Sequence, residues 1–298
     1  MKFNWIYESS EKQQVKTFLR TKGISRGLLA KIKFQGGKIE VNYREENAVH
    51  YLKDKDRVDV TIPDEKGHET TVPIDIPIDI VYEDEHILVV NKPFGVASIP
   101  SRDHPKGTMA NRVKGYYVRE NYIDQVIHIV TRLDRDTTGL MLFAKHGYAH
   151  ALLDKELQSK KLHKKYICLV NGKMAAKAHG TIEAPIGRPE DSIIRRIVHP
   201  KGKTALTEYW VKESYSHATL VDVQLHTGRT HQIRVHFSHI GYPLMGDDLY
   251  GGEKNQFIKR QALHCRKLDF IHPFTKEKIV LRADYPEDIA EWLKDNRE

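Results

Sequence analysis

Val130-Thr-Arg-Leu-Asp-Arg-Asp-Thr-Thr-Gly-Leu140 is the stretch on which the reading of this chain turns. It sets a carboxylate, Asp134, between Arg132 and Arg135, with a second acid, Asp136, two residues on. Gly139 breaks the run, and Leu140-Met-Leu-Phe-Ala144 follows as an apolar, core-type segment. An aspartate beside guanidinium groups stays ionised, because nearby positive charge favours the carboxylate. Such an ion can act as a nucleophile or a base. Taken alone, the stretch reads equally well as a polar turn between two buried strands. At this level Asp134 and Asp136 are equal candidates.

The surrounding composition narrows the partners. A chain of 298 residues has room for two domains, or for one large domain and an appendage. The net charge of +8 is the footprint of a protein that meets a polyanion, with nucleic acid ahead of an anionic membrane. The two cysteines, Cys168 and Cys265, lack CxxC spacing and read as buried small hydrophobes in a reducing cytoplasm. No stretch of 18 apolar residues occurs, and Met1–Ser10 lacks the apolar core of a signal peptide. A cytoplasmic protein is expected, with no membrane contact and working as a monomer.

Toward the N-terminus, residues 12–38 hold eight lysines and arginines and no acid. Val15, Phe18 and Leu19 fall at helical spacing, Ser25 can cap a second helix carrying Leu28, Leu29 and Ile32, and Gly36-Gly37 stops it. Lys38–Asn42 and Arg57–Ile62 alternate like strands. Residues 1–70 therefore form a small basic α+β unit, with Arg26, Lys31 and Lys38 as its candidate RNA contacts. A surface of one sign repels itself unless a polyanion relieves it. Pro63-Asp-Glu-Lys-Gly-His68 is turn-rich, and in residues 71–80 prolines interrupt a strict alternation, as in a linker. Residues 81–298 form the main domain.

Toward the C-terminus, Ile80–Pro93 gives two strands around an acidic turn, the second fully apolar, and Thr108 precedes a helix-like segment. A second helix is expected from about Tyr148 to Gln158. The cluster Lys160-Lys-Leu-His-Lys-Lys-Tyr166 combines phosphate attraction with a ring on which a base can stack, although a tyrosine at a strand start is as a rule a core residue. Residues 204–210 and 218–225 pair as antiparallel strands. In Thr227-Gly-Arg-Thr-His-Gln-Ile-Arg-Val-His236, Thr230 can cap a helix whose stripe is Ile233, Phe237 and Ile240, ended by Gly241. His231 and His236 lie about 140° apart on that helix, no carboxylate completes a set, and no metal is expected.

Two resemblances follow from these blocks. Residues 1–70 resemble the RNA-binding domain named after small-subunit ribosomal protein four, in Phe18-Leu19, Ser25-Arg26, Gly37-Lys38-Ile39, Val41-Asn42 and Asp56-Arg57-Val58. Residues 78–290 resemble the RluA-type pseudouridine synthases, which act on ribosomal and transfer RNA. The resemblance runs through Tyr82–Gly95, the opening stretch, Lys164-Lys-Tyr166, Pro185-Ile-Gly-Arg188 with Gly202-Lys203, Leu225–His236, Gly246-Asp247, Tyr250-Gly251, Arg260–His264 and Phe270–Pro273. Thr131 stands where that family has histidine, Thr138 where it has serine, and Ile99 where histidine is common. Thr131 is not at the nucleophile's position, so activity is expected to survive.

The resemblance implies a fold of mixed α/β (α+β) class: a mostly antiparallel sheet flanked by helices around a central cleft. It implies isomerisation of uridine to pseudouridine in structured RNA, ribosomal RNA first and transfer RNA second. It makes Asp134 the catalytic aspartate, which attacks or deprotonates the ribose, and Tyr166 the ring that stacks on the flipped uracil. Arg229 would pair with Asp134, Arg132 would hold the opened strand, and Lys164 and Lys203 would contact the RNA backbone. Chemistry supports such a set, because a base inside a stem must be extruded to be reached and then needs an aromatic floor. No cofactor is expected, since one bond to the base is exchanged for another without redox change. Two other readings compete: a non-catalytic RNA-binding assembly factor on the same scaffold, and a glycoside hydrolase using Asp134 and Asp136. The second fares poorly, because two acids two residues apart on one loop do not supply a carboxyl separation across a sugar.

Overall fold

The runs Ile87-Leu-Val-Val90 and Leu140-Met-Leu-Phe-Ala144, apolar at every position, become adjacent strands covered on both faces. Ile87, Val89, Leu140 and Leu142 join one core cluster, and Leu88, Val90, Met141 and Phe143 join another on the opposite face. Double coverage explains why these strands show no alternation. The computed structural model that gives this arrangement describes residues 1–65 and 71–296. The turn expected over residues 63–68 lies in part outside the described residues.

The main sheet has ten strands. Its principal path runs His179–Glu183, Leu206–Ser214, Ala218–Leu225, His163–Asn171, Leu263–Ile271, Thr138–Ala144, Ile87–Lys92 and Asp79–Glu83. Lys278–Arg282 and His128–Ile129 pair at its side. Among the described residues every pairing of this sheet is antiparallel except one, where Thr138 and Gly139 run parallel to His264 and Cys265. The fold is mixed α/β on a mostly antiparallel sheet, and the antiparallel pairing of Leu206–Ser214 with Ala218–Leu225 is as the sequence indicates.

Gly139 is required at the parallel contact. Its φ is +109°, and a Cβ there would meet the Cys265 carbonyl oxygen at 2.3 Å. No other residue lets the two backbones approach this closely.

Two short helices, α1 (Val15–Thr21) and α2 (Arg26–Phe34), cover a four-stranded sheet ordered Lys2–Ile6, Arg57–Thr61, Lys38–Val41, Arg44–Glu45. Ser25 caps α2 by accepting from the Leu28 N–H at 3.1 Å, as its position predicts. Val15, Leu19, Ile32, Val58 and Val60 fill the small core, and Tyr148 of the larger body closes it. Phe3 stacks on Phe274 with ring centroids 5.2 Å apart. Glu65 accepts from Lys31, His128 and the Gly147 N–H, so it ties α2 to the segments at His128 and Gly147.

On the main sheet, α3 (Met109–Arg119) buries Met109, Val113 and Tyr117 on one face, with Thr108 forming a capping box with Asn111. On the other face lie α4 (Gly147–Gln158) and α5 (Gln232–His239), which contribute Ala149, Leu153, Ile233 and Phe237. The final helix, α6 (Glu287–Asp295), packs Ile289, Trp292 and Leu293 against Ile167, Leu169 and Leu220. One local expectation is corrected at α5. Its N-cap is His231, in the left-handed conformation (φ 57°, ψ 19°), and no side-chain cap is made, so Thr230 does not serve. No helix among the described residues is long and apolar enough to cross a membrane.

Candidate active site

The stretch 130–137 is a loop leading into the strand Thr138–Ala144, and buried side chains from distant segments set its shape. Ser98 Oγ donates to the Leu133 carbonyl at 2.6 Å and accepts from the Leu133 N–H at 3.1 Å. Lys92 Nζ donates to the carbonyls of Pro93, Val96 and Arg135 at 2.9, 2.7 and 2.7 Å. Burial pulls the Lys92 pKa down to about 7, yet three acceptors match the three protons of an ammonium, so the charged form is what the loop holds. Arg260 Nη1 donates to the Asp136 carbonyl at 3.0 Å. Thr131, the departure from the family histidine, accepts from the Leu142 N–H at 3.0 Å and is buried.

Held in this way, the loop sends its two acids in different directions. Asp136 is taken by its neighbour, with Arg135 Nε and Nη2 bonding its carboxylate at 2.8–3.1 Å. Asp134 turns toward α5, its side chain 27% exposed, and Arg234 Nη1 stands 3.4 Å from its Oδ2. Arg234 is itself oriented by a bidentate pair with buried Asp247, Nε to Oδ2 at 2.7 Å and Nη2 to Oδ1 at 2.8 Å, and it lies 5.0 Å over the Tyr250 ring. Such a fork fixes a guanidinium plane in a way lysine cannot. Burial opposes the charge of Arg234, but Asp247 and then Asp134 more than offset it, and its pKa is raised.

This geometry corrects the expected pairing of Arg229 with Asp134. Arg229 precedes α5, where its N–H is held by Gln232 Oε1 at 3.0 Å and its Nε donates to the Thr204 carbonyl at 2.9 Å. The arginine that reaches Asp134 is one turn further on, inside the helix. A signal for it was present in the sequence: Arg234 sits between Ile233 and Val235 in a short helix, a position where an arginine is buried only if it has an acidic partner.

Tyr166 lies in the strand His163–Asn171, opposite Cys265 on one side and Val223 on the other. A bulge between Lys165 and Tyr166 re-aims the strand there, and Lys164 Nζ lies 5.8 Å over the Tyr166 ring. The ring is buried, and burial, reinforced by Cys265 and Asp134, raises its hydroxyl pKa well above the usual range. Burial likewise lowers the pKa of Lys164, and Asp134 pulls the other way. Asp134, Tyr166, Lys164 and Arg234 thus share one electrostatic environment.

The remaining candidates are more dispersed. Arg132 and Lys203 are exposed, and neither side chain makes a hydrogen bond or ion pair among the described residues. Of the N-terminal three, Arg26 is exposed at the start of α2, while Lys31 is engaged by Glu65 at 3.1 Å and Lys38 by Glu40 at 3.0 Å. Among the described residues no group of three or more His, Cys, Asp or Glu side chains could hold a metal ion.

Residues 86–239 match the RNA pseudouridylate synthase family. The chain is 45% identical over 280 residues to the uncharacterized RNA pseudouridine synthase YjbO of Bacillus subtilis, covering 94% of this chain and 98% of that one. It is 42% identical over 232 residues to ribosomal large subunit pseudouridine synthase D of Pseudomonas aeruginosa, covering 74% and 71%. In structure it resembles human RNA pseudouridylate synthase domain containing 4, with a TM-score of 0.60 at 22% identity over 74% of this chain and 93% of that one. The chain belongs to the RNA pseudouridine synthase family and is an isomerase that converts uridine to pseudouridine in RNA.

Proposed function

We propose that the enzyme modifies structured RNA, with large-subunit ribosomal RNA as its first target class and transfer RNA as the second, and that Asp134 is the catalytic residue. The observation that carries the assignment of Asp134 is the asymmetry of its carboxylate. Oδ2 faces Arg234 at 3.4 Å, whereas Oδ1 has no partner among the described residues and is the oxygen available to a ribose. The reaction breaks the bond from C1′ to N1 of the base and joins C1′ to C5. The C5 proton leaves to solvent and N1 takes one up, so no electrons are exchanged. Asp134 acts on the ribose by attack or by deprotonation, and Arg234 holds its orientation.

Tyr166 serves as the floor for the extruded uracil and assists removal of the C5 proton. Arg132 occupies the opened strand, and Lys164, Lys203 and Arg229 meet the backbone around it. The ribosomal assignment is supported by the likeness to ribosomal large subunit pseudouridine synthase D of Pseudomonas aeruginosa. Residues 1–70 form a separate RNA-gripping unit, for which exposed Arg26 and the eight basic residues of positions 12–38 are the support.

Pseudouridine mapping in RNA from cells carrying Asp134→Asn tests the reading. At least one site is expected to vanish, and its identity names the substrate. Persistence of every site would remove Asp134 from the chemistry.

A further inference from the structure

We infer that His231 is a positioning residue for Asp134, held in one tautomer by a hydrogen-bond relay that begins at the Arg196 N–H; this rests on Asp134 being the catalytic carboxylate. The first observation is the backbone. His231 is a non-glycine residue in the left-handed region, at φ 57° and ψ 19°. That conformation costs free energy and persists where the surroundings impose it, commonly at functional sites. Its effect is to turn the imidazole inward, leaving the side chain 12% exposed.

The second observation is the bonding. The Arg196 N–H donates to Tyr250 Oη at 2.9 Å. Tyr250 Oη stands 2.8 Å from His231 Nδ1. The hydroxyl accepts from Arg196, and Nδ1 is the one acceptor for its own proton among the described residues, so the arrangement that satisfies the hydroxyl makes Nδ1 the acceptor. In the neutral ring this leaves the imidazole proton on Nε2. Nε2 faces Asp134 Oδ2 at 3.9 Å. Burial lowers the His231 pKa against the opposing pull of Asp134, which agrees with a neutral ring.

The third observation is convergence. Arg234 Nη1 and His231 Nε2 both approach Oδ2, at 3.4 and 3.9 Å, from one end of α5. Two donors on one oxygen fix the rotation of the carboxylate and leave Oδ1 pointing away from them. The Arg234 contact is a long hydrogen bond and the His231 separation lies beyond one, and both are of the kind that tightens in a reacting complex. The relay starts on a braced loop: Arg196 Nη1 bonds the carbonyls of Ile193, Ile194 and Arg195 at 3.1, 2.9 and 2.7 Å.

The competing account makes His231 a structural histidine satisfied by Tyr250 alone. Tritium release from total RNA labelled with [5-³H]uridine, taken from a strain lacking this enzyme, separates the two under single turnover with the full-length protein in excess. His231→Leu is expected to lower the rate at saturating enzyme by roughly tenfold to a hundredfold, an increase of about 1.4–2.7 kcal/mol in barrier, with half-saturation unmoved. His231→Asn, which tolerates the left-handed backbone and keeps an N–H donor, should recover part of the loss. Tyr250→Phe releases the tautomer and should slow turnover by about threefold or more, short of the loss in His231→Leu.

A rate within twofold of wild type in His231→Leu, or a loss seen only as weaker RNA binding, overturns the proposal. Equal losses in His231→Leu and His231→Asn would do the same. Should His231→Leu fail to fold, an unchanged rate in Tyr250→Phe is decisive against it. Asp134→Asn in the same assay keeps the two readings apart, because turnover there defeats the assignment of Asp134 whatever His231 does.

Discussion

Lys92 Nζ donates to the Arg135 carbonyl at 2.7 Å, tying the end of a core strand to the loop that carries Asp134 across 43 residues of sequence. The same ammonium satisfies the carbonyls of Pro93 and Val96. Lys92→Met keeps the length of the side chain but strands three acceptors. At about 1 kcal/mol or more for each buried group left unpaired, the cost is roughly 3 kcal/mol. The melting temperature is then expected to fall by roughly 5–10 °C. Calorimetry of the two proteins checks this, and equal melting temperatures would show the bonds to be dispensable.

Arg234 and Arg229 are expected to fail differently. Arg234→Gln removes the guanidinium that faces Asp134 and should lower turnover by roughly a hundredfold to a thousandfold, the range for losing one preorganised charge donor. Arg234→Lys restores little, because an ammonium cannot reproduce the fork with Asp247. Arg229→Gln should instead weaken RNA binding and reduce its salt slope by about one. Tritium release alongside filter binding at several salt concentrations distinguishes the pair. Equal losses of turnover with unchanged binding in both variants would contradict the separation of roles.

Glu65 makes the junction between the two units dependent on pH. Burial alone would raise its pKa, but hydrogen bonding and charge from His128, followed by those of Lys31, hold it down to about 2 from a usual 4.5. A carboxylate with a depressed folded-state pKa contributes stability that is fully present above the unfolded value. That contribution is lost as the pH falls from about 4.5 toward 2. The gap in melting temperature between wild type and Glu65→Gln should therefore stay constant down to about pH 5 and narrow below it. A gap that does not change between pH 7 and pH 3 would mean that the charge is not what joins the units.

Thr131 supports the loop through its hydroxyl. Thr131→Val keeps the shape but leaves the Leu142 N–H without that acceptor, at a cost of about 1–2 kcal/mol. Denaturant unfolding should show the loss as a lower midpoint at an unchanged slope. Turnover at low temperature should stay near wild type, since Thr131 faces the core and not Asp134. A large catalytic loss with unaltered stability would give the position a direct chemical role.

Features carried by local chemistry were legible in the sequence. Ser25 and Thr108 cap the helices they precede, Gly241 ends α5, and the unbroken apolar runs at 87–90 and 140–144 are doubly covered strands. Local spacing did not reveal which arginine reaches Asp134. That depends on Asp247, thirteen residues beyond Arg234, fixing the guanidinium plane. The left-handed turn at His231 was hidden for a similar reason, because Thr230 offers a plausible cap and only the bond to Tyr250 shows why it is not used. The strand Lys2–Ile6 also escaped notice. It is short, and its alternation has meaning only once Arg57–Thr61 lies beside it.

The parallel contact between Gly139 and Cys265 governs the order in which the enzyme can become active during synthesis. Thr138 reaches His264 across 126 residues, so the aspartate loop gains its final support only after the strand Leu263–Ile271 has left the ribosome. Helices α3 and α4 can form long before that from local contacts, whereas this closure must wait for a distant segment. A nascent chain that ends before Leu263 is thus expected to carry Asp134 without the backbone beside which Gly139 is shaped. Activity would then arrive in a single late step, once the strand Leu263–Ile271 is in place.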